Sequence, residues 1–131
     1  MEYLNVIAAA IASYLLGAVW YMVWSRQWMQ AAGIEADENG RPKSGMGPVT
    51  YLLAFLAALM VAGMMRHVFA QAGITNVAKG GLSGLGLGLF IASPWIMLNN
   101  AFGGRPFRLT LIDGGYATFG CGLIGIVLSL F

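Results

Sequence analysis

Four stretches of this chain are long enough to cross a bilayer and nearly free of charge, which restricts its fold more than any other feature. Tyr3–Ser25, Met46–Met65 and Gly80–Phe102 hold no acidic or basic residue, and Leu109–Phe131 holds one, Asp113. A helix needs about 20 mostly apolar residues to span about 30 Å of hydrocarbon. Backbone polar groups in lipid must be satisfied within the segment itself, so helices are the economical solution. The chain therefore reads as all-α, an integral membrane four-helix transmembrane bundle. A single domain, 1–131, has helices at approximately 3–30, 46–72, 76–101 and 109–131.

Composition excludes most alternatives. Only 9% of residues are charged, against about 25% in a soluble domain. The net charge of +2 comes from scattered Lys and Arg, with no basic run to follow a phosphate backbone, so no nucleic-acid partner is expected. The single cysteine, Cys121, cannot form an internal disulfide and sits among small apolar residues as a small hydrophobe. His67 is alone, and Met60, Met64 and Met65 read as adaptable packing, so no metal or cofactor is expected. The start, "MEYLN", lacks a basic leader region, and the first apolar run is expected to remain as a transmembrane helix.

The connections have recognisable chemistry. "QAAGIEADENGRPKSGMGP" is a charged, glycine-containing loop; Gly73 suits a helix C-cap and Thr75 or Asn76 the next N-cap; "FGGRPFR" breaks the chain with Gly103, Gly104 and Pro106. The first and third loops share a side and carry Arg26, Arg41, Lys43, Arg105 and Arg108, against Arg66 and Lys79 opposite. By the positive-inside bias, both termini are expected outside the cytoplasm.

Helical spacing sorts the faces. Asn5, Ala9, Ser13, Gly17, Trp20 and Trp24 form one stripe of the first helix. Gly80, Gly84 and Gly88 start a row on the third, continuing through Ala92 to Trp95 and Asn99. Gly114, Thr118, Gly122, Gly125 and Ser129 share a face of the fourth, while Phe119, Leu123, Ile126 and Leu130 suit lipid. Small stripes allow close helix approach, either within the monomer or against a second copy or partner.

Asp113 is the one acid inside a span. The topology places it at the same membrane level as Trp20, Tyr21, Trp24 and Arg26, Trp95, Asn99 and Asn100, and Arg105, Arg108 and Tyr116. Pro94 can disturb the third helix just before this layer. A carboxylate in a membrane helix is costly unless it pairs, protonates or reaches the interface. Arg26 and Arg105 are the cationic candidates, and Asn99, Asn100 and Tyr21 the hydrogen-bonding ones. The cluster reads either as a tie between helix ends or as a polar pocket.

The segments "NVIAAAIASYLLGAVWY", "QWMQAAG" and "IDGGY" carry a resemblance. With Asn5, Gly17, Trp20, Tyr21, Trp28, Gly33, Asp113 and Tyr116, the chain resembles an uncharacterised family of small bacterial membrane proteins with four predicted helices, a domain of unknown function. The resemblance implies a bacterial inner-membrane protein and supplies no activity. The first helix lacks the glutamate of small multidrug exporters, and "GGYATFG" only superficially echoes small fluoride channels. With no Ser/His/Asp set, no metal cluster and no pair of nearby membrane-facing carboxylates, an enzyme is not expected. Besides the lipid bilayer, the expected partner is a second copy or a larger membrane complex, with the chain acting as an accessory subunit. The alternative is a small transporter or channel working through the Asp113 cluster.

Overall fold

The computed structural model describes residues 3–40 and 47–131. Among these the chain is all-α, with four spans, Leu4–Val23, Pro48–Ala72, Val77–Phe102 and Phe107–Ser129, long and apolar enough to cross a membrane. It is a multi-pass membrane protein. Arg41, Lys43 and Met46, the last at the expected start of the second span, lie outside the described residues.

The first expected helix is two. α1 runs Leu4–Val23 and α2 Ser25–Ala32, separated at Trp24, whose φ of −99° and ψ of 17° leave the helical region. In a straight helix Tyr21 and Trp28 would be about 10 Å apart along the axis. The break brings their rings to 5.7 Å. No glycine or proline marks this point, so the spacing gave no warning of it. Gly33 then closes α2 in the left-handed region at φ 73°.

α3 spans Pro48–Ala72, with Pro48 in its first turn and Gly73 at φ 70° as its C-cap. The next helix, α4 (Val77–Leu87), is capped by Asn76, whose side chain accepts from the Lys79 amide at 2.8 Å. α4 passes into a π-helical turn, Gly88–Ala92, and then into α5, Ser93–Phe102. Pro94 accounts for this turn. It has no amide hydrogen to give, and its ring crowds the carbonyl one α-turn earlier. Widening the preceding turn relieves both problems, and the Ser93 amide reaches back to the Gly88 carbonyl.

α6, Phe107–Ser129, is the hub. In its most apolar window 44% of residues are buried, against 17% for both the α3 and the α4–α5 spans. One side of α6 meets α4 and α5. Another meets α1, and Ile124 and Leu128 join Val6, Ala9 and Ala10 of α1 and Ala58, Ala62, Met65 and Phe69 of α3 in the apolar core. At the end of the bundle away from Asp113, Arg66 lies 5.3 Å over the Tyr3 ring.

The α4–α6 contact is built backbone to backbone. A Cβ on Gly84 would overlap the Cys121 carbonyl, and one on Gly125 the Gly80 carbonyl. A Cβ on Gly88 would come within 2.6 Å of the Ala117 carbonyl oxygen. These glycines are therefore occupied inside the monomer. Past Gly88 the row departs from the expected one. The extra residue of the π turn moves Ala92, Trp95 and Asn99 out of the seam and Ser93 and Asn100 into it.

Candidate functional site

The polar layer forms where the end of α1, the start of α6 and α2 converge. Tyr21 is on the α6-facing side of α1, and its hydroxyl donates to Asp113 Oδ1 at 2.6 Å. A short bond from a neutral hydroxyl to a carboxylate is among the stronger hydrogen bonds a protein makes. Asp113 is half-buried, and its other oxygen is not sealed in the protein.

Two further bonds bracket this pair. Trp20 Nε1 donates to the Ile112 carbonyl at 2.9 Å, and the Tyr116 hydroxyl donates to the Ser13 carbonyl at 2.9 Å. Each ring lies over a glycine of the opposite helix. A Cβ on Gly115 would stand 2.7 Å from the Trp20 ring, and one on Gly17 would stand 2.8 Å from the Tyr116 ring. The glycines give the rings room, and the rings deliver polar tips to backbone carbonyls across the interface. Tyr21 also stands edge-on to Tyr116 at 5.6 Å, so Trp28, Tyr21 and Tyr116 form one aromatic wall around the carboxylate's hydrogen bond.

The expected ion pair is not what holds Asp113. Among the described residues neither Arg26 nor Arg105 is within ion-pair distance of it, and both are exposed. Arg105 acts on the carboxylate only through longer-range attraction. The reason is economy of order. Tyr21 is fixed by its rings and needs to immobilise no further side chain, whereas an exposed arginine would lose side-chain freedom for a weak gain.

The asparagines also differ from expectation. Asn99 is exposed, and Asn100 donates from Nδ2 to Thr110 Oγ1 at 3.2 Å, tying α5 to α6 away from Asp113. Trp95 is 62% exposed, so it lies outside the cluster, and Trp24 is at its rim, 6.2 Å from the Trp20 ring. Of the α1 stripe, Ala9, Ser13 and Gly17 are buried as a packing face. Asn5 is half-buried, and its Oδ1 is enclosed without a hydrogen-bond partner.

Sequence reasoning missed Ser93. Its hydroxyl donates to the Gly114 carbonyl at 2.9 Å and lies 3.0 Å from Thr118 Oγ1, which bonds the same carbonyl at 2.8 Å. Pro94, directly after it, was the available signal, because a proline that widens a helix also shifts the row. Thr110 was missed as well, and Trp28, named only for the resemblance, was not placed beside Tyr21 because the α2 turn-back is unmarked. Among the described residues no group of three potential metal ligands exists.

A family model described as "Protein of unknown function (DUF1761)" matches residues 4–129. Neither the curated proteins nor the solved structures provide a match.

Proposed function

We propose that this chain, which belongs to the DUF1761 family, is a non-catalytic membrane protein that works by helix packing, as a homo-oligomer or an accessory subunit of a larger complex. The observation that carries this reading is α5, in which no residue is buried. Ile91, Trp95, Leu98 and Phe102 recur at intervals of four, three and four, and form an outer stripe with Phe102 87% exposed. The Asn99 amide stands exposed beside them. Exposed apolar residues alone are ordinary for a lipid-facing helix. A polar amide among them is a feature that helix–helix contacts in membranes commonly use.

The glycine rows are not the surface in question, because Gly80, Gly84 and Gly88 are filled by α6. Five basic residues against two support a bacterial inner-membrane orientation with both termini outside the cytoplasm. Native mass spectrometry of protein released gently from membranes tests the main proposal. Dimers or a stoichiometric partner are expected, and they should be lost in Leu98→Lys. A lone monomer under these conditions overturns it.

A second reading has its own observation. The unshared oxygen of Asp113, beside a tyrosine hydroxyl, is a geometry that a small transporter or channel would use to hold a proton or cation. In that case Asp113→Asn abolishes flux in proteoliposomes while the protein keeps its fold. Unchanged flux, or none in the parent protein, removes this alternative.

A further inference from the structure

Between α5 and α6 runs an open groove of about 540 Å³, within the range of small-molecule sites, about 300–1,000 Å³. One wall is Leu89, Pro94 and Met97, and the other is Leu111, Gly115 and Phe119. The groove is a product of the π turn, which sets Ser93 into the seam and leaves Pro94 and Met97 along its edge. Polar groups lie at its floor, but they are already engaged. Ser93 and Thr118 bond the Gly114 carbonyl and each other, and Thr110 accepts from Asn100. What remains to an occupant is apolar surface, which suits a hydrocarbon chain and offers little to a polar solute.

The groove has one charged end. Arg108 precedes Leu111, Gly115 and Phe119 by three, seven and eleven residues, intervals that place all four on one face of α6. Arg108 is exposed, and among the described residues it makes no ion pair. From Arg108 to Phe119 the helix rises about 16 Å, close to half of a hydrocarbon core about 30 Å thick. A cationic head position therefore sits above an apolar channel one leaflet deep.

We propose that this groove binds an anionic phospholipid, with an acyl chain lying between α5 and α6 and the phosphate facing Arg108. The charge complementarity selects an anionic over a zwitterionic headgroup, as basic sites beside membrane helices commonly do. The site lies on the α6 side of Pro94 and Met97, whose outer side borders the Ile91–Phe102 stripe, so the groove is tested from its α6 wall.

The test is native mass spectrometry of the purified full chain, titrated in detergent with phosphatidylglycerol or with phosphatidylcholine of the same acyl chains. One phosphatidylglycerol per chain is expected to bind in preference. Arg108→Gln lowers that preference by about fivefold, the effect of one basic residue near an anionic surface. Leu111→Trp, which fills the groove from the α6 wall, lowers retention of both lipids while Arg108 is intact. Equal binding of the two lipids, or indifference to both substitutions, overturns the proposal. So does a Leu111→Trp variant that instead breaks a lipid-free dimer, because the groove's occupant is then a second copy. Helical circular dichroism and melting of both variants exclude unfolding as the cause.

Discussion

On its α4 side α6 offers Gly125 to a helix that is itself lined with Gly80 and Gly84, and there main chain touches main chain. On its α1 side it trades Tyr116 for Trp20, ring over glycine in both directions, and adds the Tyr21–Asp113 bond. The first seam holds by shape, with backbone against backbone at Gly84 and Gly125 and the Leu85 side chain seated on Gly122. The second holds by directed hydrogen bonds whose donors can move. A helix with lipid on its remaining face gains little from apolar burial, since the surrounding chains are as apolar as leucine. Close contact and polar bonds must supply what water supplies elsewhere, and α6 uses one on each side.

The two seams should break differently. Gly84→Leu forces atoms into the Cys121 carbonyl, and the overpacking should cost about 3 kcal/mol or more, read as loss of the folded protein in a mixed-micelle unfolding titration. On the α1 side, Tyr21→Phe removes the donor to a half-buried carboxylate and should cost about 1–2 kcal/mol by the same assay. Asp113→Asn keeps an acceptor for Tyr21 and should cost less than Tyr21→Phe. The reverse order would mean that the distant pull of Arg105 outweighs the short bond.

A smaller effect is expected at Ser93→Ala, which removes an α5–α6 bond worth about 0.6–1.7 kcal/mol in a membrane interior and should lower the melting temperature slightly. The smallest should change sign. Gly86 is two residues from Gly84, yet a Cβ there meets nothing within 4 Å. Gly86→Ala should therefore stabilise the helix by up to about 1 kcal/mol. If Gly84 and Gly86 respond alike, the shape argument for the α4 seam fails.

Much of this architecture is legible in the residues because it follows from solvent and spacing. Charge-free runs mark the spans, Gly73 and Asn76 mark helix ends, and the Gly80–Gly84–Gly88 row marks a close contact. Asp113 was also recognisable as the residue needing a partner. Tyr21 stood among its hydrogen-bonding candidates, but charge also suggests arginine, and only the tertiary arrangement shows that the ring-braced tyrosine gets there first. The end of the third span misled for a different reason. Counting by fours assumes an unbroken α-helix, and the π turn before Pro94 adds one residue to the count.

That added residue bears on insertions and deletions. Removing one residue from a membrane helix ordinarily turns everything beyond it by about 100° and exchanges the packed face for another. Between Gly88 and Ser93 the arithmetic runs the other way. With one residue fewer and proline replaced, a plain α-helix would present Ser93 and Asn100 to α6 as they stand now, whereas proline replacement at full length invites Ala92, Trp95 and Asn99 into their place. The phase of α5 is thus set by a matched pair of changes, and a chain carrying neither should keep the same α6 contacts as a chain carrying both.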